Sequence, residues 1–220
     1  MEMTRTIQIP AVAVRRPEDP EPDLTAMYVI HRAMLGDLRR LAEDHGGGDA
    51  AIRRYATLLL FEVDHHHTNE DDLLWPVIER AAGRAVDLAP FTDDHLALEA
   101  VLARCRAALT GDLTRLRQSL GELHAMLVEH IADEESEVFP IIKRFVPADA
   151  YQWCEDRIAR RAGLGQMRFT VPWLSSWATS EELDGMLRRV GSRFRLALAL
   201  TRGRYQRLER AAIALPRPTP

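Results

Sequence analysis

The segment LTRLRQSLGELHAMLVEHIADEESEVFPII, residues 113–142, decides the fold. Leu113, Leu116, Leu120, Leu123, Leu127, His130, Glu134, Val138 and Ile141 recur at steps of three and four, which places them on one face of a helix. Asp112 stands where a capping residue belongs. So regular a stripe needs apolar partners of its own kind, and the chain supplies three. Upstream, a segment opening at Thr92 carries His95, Leu98, Leu102, Cys105 and Leu109 and ends at Gly111. Before it, behind Asp49, come Ile52, Ala56, Leu59, Val63, His66, Glu70, Leu73 and Val77, closed by Gly83. Pro76 lies inside this segment and is expected to kink or loosen it. The first stripe follows Asp23 and comprises Leu24, Met27, Tyr28, His31, Leu35, Leu38, Leu41 and Ala42, halted by Gly46–Gly48.

Short connections favour antiparallel neighbours, so the expected fold is all-α. It is an up-down-up-down four-helix bundle over residues 24–146, with helices crossing at roughly 20°. No segment alternates with period two, and no sheet is expected. Residues 1–23, with Pro10, Pro17, Pro20 and Pro22, read as an extended arm. Residues 147–220 read as a helical extension with a Pro-rich tail beyond Leu215. Its helices are expected over 149–162 and 180–200, separated by Gly163–Ser176. Trp153, Trp173 and Trp177 imply that this part packs on the outside or an end of the bundle.

The chain has 220 residues, 46% hydrophobic and 28% charged, which suffices for a core without covalent staples. Cys105 and Cys154 are its two cysteines, so no disulfide framework supports it. Cys105 reads as a buried thiol, Cys154 as a more exposed one. No window approaches the ~18 apolar residues of a membrane span, and the N-terminus does not read as a signal peptide, so a cytoplasmic address is expected. A net charge of -4 argues against nucleic acid as a partner. Residues 1–146 carry 16 basic and 26 acidic side chains, residues 147–220 carry 13 and 7. That asymmetry favours docking of Arg188–Arg210 on the bundle over capture of an anionic protein partner by residues 147–220.

Polar residues interrupt the leucine stripes: His31 on the first helix, His66 and Glu70 on the second, His95 on the third, His130 and Glu134 on the fourth. A histidine and a carboxylate four residues apart project side by side. Two such pairs and two single histidines would converge inside an antiparallel bundle. An ionised carboxylate in a dry core is costly unless it is paired or holds a metal. Imidazole with carboxylate suits iron, manganese or zinc. A single inward histidine is ordinarily a hydrogen-bonded core residue; the repeated, joint pattern points to a metal site. No nucleophilic triad, phosphate-binding glycine loop or dinucleotide fingerprint is present.

The pieces HHHTNEDDLLWPVI (65–78) and EHIADEESEVFPII (129–142), with His31 before them and DDHLALEAV (93–101) between, resemble the paired signatures of the hemerythrin-like, or HHE cation-binding, family. The resemblance implies a four-helix bundle holding a non-haem di-iron centre. His31, His66, His95 and His130 would be terminal ligands, with Glu70 and Glu134 bridging. Oxygen-carrying relatives usually have a second histidine four residues after the first on the third helix; here Glu99 stands there. Glu99 would substitute as an oxygen ligand or leave one iron under-coordinated, and either outcome disfavours simple oxygen carriage. In the run His65–His67, His66 matches the four-residue spacing of His130 and Glu134, and His67 would need a three-residue spacing; His66 is the expected ligand. His65, Glu62 and Glu135 are expected to face solvent or to support a ligand, His124 and His45 to play no part. Tyr28 reads as core packing, or as a hydrogen-bond donor near the pocket. The implied function is binding of, or reaction with, dioxygen, nitric oxide or peroxide in sensing, redox defence or iron handling. Peroxide decomposition and a metal-sensing interaction module are the alternatives.

Overall fold

The spacing of apolar residues produces helices where the stripes lie. The structure, a computed structural model, describes residues 7–43, 46–190 and 192–213; His45 and the tail beyond Leu215 lie outside the described residues. The first rod is α1 (Thr25–Ala42). The second is α2 (Asp49–Asn69), which passes through a π-helical turn at Glu70–Leu74 into α3 (Trp75–Ala82). The third is α4 (Ala89–Ala108). The fourth repeats the plan of the second: α5 (Leu113–Asp133), a π-helical turn at Glu134–Val138, then α6 (Phe139–Phe145). Helix α1 packs on α2 and α5, and α4 packs on the same two, closing a four-rod bundle. No strand occurs among the described residues.

Pro76 does not simply kink its helix. Proline cannot donate to the residue four back, and its ring crowds that carbonyl. The π turn places one extra residue just ahead of it and closes with the Trp75 N–H donating to the Glu70 carbonyl. Pro140 follows the second π turn in the same way, after the Phe139 N–H donates to the Glu134 carbonyl. Two apolar clusters result. One includes Met34, Leu59, Leu102 and Leu123; the other includes Trp75, Ile78, Val138 and Phe139. The polar band of His31, His66, Glu70, His95, His130 and Glu134 lies between them in every rod.

The extension comprises α7 (Ala148–Arg161), α8 (Leu164–Trp177), α9 (Ser180–Val190) and α10 (Ser192–Ala212). The expected break over Gly163–Ser176 is itself helical. Its tryptophan-rich face gains more from burial than Pro172, inside α8, costs in lost hydrogen bonding. Helix α8 packs against α1, and α10 against α2 and α8. Ahead of the bundle, the arm is extended and tied to α6: the Arg15 N–H donates to the Phe145 carbonyl at 2.8 Å and its side chain to that of Lys143 at 2.8 Å.

Docking of the extension centres on Asp37, which is fully buried on α1. Its carboxylate accepts from Arg40 at 2.7 Å, Tyr55 at 2.6 Å, Trp173 Nε1 at 2.9 Å and Trp177 Nε1 at 3.3 Å. The Trp177 ring lies where a Cβ on Gly36 would sit, so only glycine fits that face of α1. Bulk charge attraction plays a smaller part, because ion pairs cross the interface in both senses. Arg161–Asp72 and Arg189–Asp23 bring basic groups from the extension; Arg32–Glu182 and Arg40–Glu209 bring them from the bundle. Replacing Asp37 by Ala strips the acceptor from both indoles and should destabilise the fold by about 3–5 kcal/mol, the range for breaking a buried charged pair. Urea unfolding of Asp37→Ala against the parent chain measures it.

Candidate metal centre

Adjacent helical residues point about 100° apart, so His66 and His67 of α2 face different neighbours. His66 turns toward α1, where its Nε2 lies 3.2 Å from His31 Nε2. His67 turns toward α4 and α5, its ring packed against those of His95 and His130. The side chains form two groups with donor atoms within 4.8 Å of one another: His67, His95 and His130, and His31, His66, Glu70 and Glu134. All seven are buried. His67 therefore joins His66 in the cluster; a three-residue spacing to Glu70 serves as well as four when the two rings address opposite sides.

Glu70 reaches both groups. Its Oε1 is 3.0 Å from His66 Nε2 and its Oε2 is 3.7 Å from His95 Nε2. Glu134 Oε2 is 3.4 Å from His31 Nε2. The π turns begin at these two glutamates, so the change of helical pitch occurs where the carboxylates enter the core.

Four of the five imidazoles have a partner on the ring nitrogen that faces away from the cluster. His31 Nδ1 meets Glu135 at 2.8 Å, His95 Nδ1 meets Asp71 at 2.9 Å, and His130 Nδ1 lies 3.4 Å from Asp94. His67 Nδ1 donates to the Val63 carbonyl at 2.7 Å. These acceptors favour the tautomer that leaves each Nε2 lone pair aimed inward, the arrangement that metal-ligating histidines share. Inside, His67 Nε2 and all four carboxylate oxygens of Glu70 and Glu134 lack a hydrogen-bond donor despite full burial. His95 and His130 bring their Nε2 atoms within 3.3 Å of each other. Unpartnered acceptors so close together suit a cation.

The electrostatics agree. Burial, then the neighbouring His95, pushes His66 down to about 3 and His130 to about 4, so both imidazoles are neutral and available near pH 7. Burial raises Glu70 to about 8; burial and the nearby Glu70 drive Glu134 well above the usual range. Two carboxylates at this distance in a dry core hold protons unless a cation takes their place.

Glu99 is exposed on α4 and belongs to neither group. The position one turn after His95 faces outward, and His67, from the neighbouring rod α2, completes the three-imidazole group instead. The signal for it was present in the His65–His67 run, but helical spacing alone could not say that two adjacent rings would both turn inward. His65 stays outside, stacked on Phe61, and His124 is also outside the cluster. Tyr28 packs edge-on against Phe139, which stacks on His31, and so supports the site through core packing. Cys154 is buried rather than exposed, its thiol pushed up to about 12 by burial; the Cys105 thiol is raised to about 11 for the same reason. Glu62 is buried as well and accepts from Thr170 of α8 at 2.6 Å instead of supporting a ligand.

A family model, the hemerythrin HHE cation binding domain, matches residues 24–142. No curated protein and no solved structure gives a significant match.

After loading with ferrous iron and desalting, metal analysis should find that His67→Ala and Glu70→Ala lose bound metal while Glu99→Ala keeps the parent content. Asp71→Ala, which frees the outer nitrogen of His95, should weaken metal affinity roughly 10–100-fold. Glu62 has a separate signature. Burial raises it from 4.5 to about 7, so folding takes up a proton between those values. Its contribution is fully present below pH 4.5 and is lost as pH rises through about 7, a change of a few kcal/mol. Glu62→Gln should flatten that part of the stability–pH curve, measured by chemical denaturation from pH 4.5 to 8.

Proposed function

The chain belongs to the hemerythrin HHE cation-binding family, and from that premise we propose that it holds a non-haem di-iron centre that binds or reacts with dioxygen, nitric oxide or peroxide. One observation carries the reading: Glu70 directs its two oxygens at two different imidazole groups. A carboxylate so placed would be able to bridge two ions, one beside each imidazole group. His67, His95 and His130 would hold one, His31 and His66 the other, with Glu70 and Glu134 shared between them. Manganese and zinc suit the same donors, but the family's members typically take iron.

The protein ligands are unevenly divided, three imidazoles against two. An ion held on the His31 and His66 side would have fewer imidazoles and so more room for an exogenous ligand. When bound, a ferrous pair supplies the electrons for binding or reducing a small oxidant. The chain's own residues do the rest. Glu135, Asp71, Asp94 and the Val63 carbonyl hold the imidazoles in one orientation. The apolar clusters on either side keep bulk water from the centre. Trp75, stacked on His95, and Phe139, stacked on His31, wall off the end of the bundle where the π turns lie.

Anaerobic optical titration of the ferrous-loaded chain with nitric oxide tests this. New absorption bands should grow to saturation and be lost in His31→Ala, whereas an unchanged spectrum in the metal-loaded parent would refute the proposal.

A further inference from the structure

The extension does more than cover the bundle. Between it and helices α1 and α2 lies a cavity of about 240 Å³, whose wall includes His66 and Glu70 of the cluster. Met27, Ile30, Val171, Leu174, Met186 and Phe194 make most of it apolar. The last four of these, like Tyr151 and Thr170, come from residues beyond the family-matched 24–142. A diatomic molecule occupies about the space of one water, roughly 30 Å³, so the cavity is far larger than such a ligand requires. Apolar cavities of about 150 Å³ stay dry and accept benzene. This one has room for a somewhat larger molecule.

Its charged groups narrow the class, beside neutral polar ones such as Asn69, Tyr151 and Gln166. Glu62, Glu70 and Glu155 line it, and no lysine or arginine does. A carboxylate or phosphate would meet three carboxyl groups and no counter-charge. Glu62 accepts from Thr170 with one oxygen and also pairs with the Gln166 side chain, and a carboxyl group has acceptor capacity for further donors. A neutral hydroxyl satisfies that capacity without bringing a charge into an apolar space.

We propose that this cavity binds an uncharged, mainly apolar organic molecule bearing one hydroxyl group, a phenol or medium-chain alcohol, and holds it against the His66 and Glu70 edge of the cluster. The inference deepens the proposed function, because it places an organic molecule beside the side of the centre that has fewer protein ligands. It rests on the metal reading for that consequence alone; the cavity itself is built by the chain.

The test is equilibrium binding of 1-naphthol to the full chain, followed by its fluorescence, in both metal-free and iron-loaded protein, with metal content measured in parallel. Saturable one-to-one binding is expected, with 1-naphthoate at least tenfold weaker because of its charge. Val171→Phe and Ala26→Leu fill the cavity from opposite walls and should each weaken binding at least tenfold; thermal unfolding identifies which variants remain folded. Glu62→Leu should weaken 1-naphthol several-fold and leave naphthalene unaffected. Absence of saturable binding, or wild-type affinity in a folded cavity-filling variant, overturns the proposal. Two irons per chain without naphthol binding would sink the cavity site alone. Naphthol binding in a chain that takes up no metal would support the cavity and sink the di-iron reading.

Discussion

Two carboxyl groups, Glu70 and Glu134, sit fully buried and side by side, and the rest of the molecule is arranged around that fact. Their charge cannot be solvated, their oxygens have no hydrogen-bond partner, and around them lie imidazoles of which His31 and His95 turn their outer nitrogens to other carboxylates. An apolar core of equal volume would be more stable than such a cluster lacking a compensating charge. The cluster therefore makes physical sense as half of a complex whose other half is cationic. Folding of the bundle and binding of metal are then linked: the apolar layers above and below bring the donors together, and the ions remove the repulsion between them.

The local device that makes the geometry attainable is the π turn, used twice. An uninterrupted α-helix would carry each proline into conflict with the carbonyl one turn back. The inserted residue removes that conflict and lets Glu70 and Glu134 enter the core beside His66, His67 and His130. The same sequence feature, a bulky aromatic followed by proline five residues after the glutamate, occurs in both rods as Trp75–Pro76 and Phe139–Pro140. Those aromatics are also the rings that stack over His95 and His31, so one short motif serves backbone and site together.

Much of this was legible in the sequence, because buried faces of helices repeat at a fixed interval. The four leucine stripes located the rods, and the polar residues interrupting them located six of the seven clustered side chains. What escaped were features that periodicity does not encode. His67 is adjacent to a stripe residue rather than on the stripe, and its inward placement depends on a bundle interior wide enough for two rings from one helix. Glu99 sits on the side of α4 turned to solvent, a rotation the weak stripe of that segment left undetermined. Residues 164–177 contain Pro172, which argues locally against a helix; their helicity is imposed by the docking of Trp173 and Trp177 on Asp37, a contact made across 136 residues. That anchor in turn fixes the extension over the bundle, where it completes the cavity beside His66.

Anomalous diffraction at the iron edge, from crystals of the iron-loaded chain, addresses the central claim most directly. Two peaks are expected between the rods, one among His67, His95 and His130 and the other beside His31 and His66, with Glu70 reaching both. A single peak, or iron located elsewhere with the Glu70 oxygens left pointing at one imidazole group only, would contradict it.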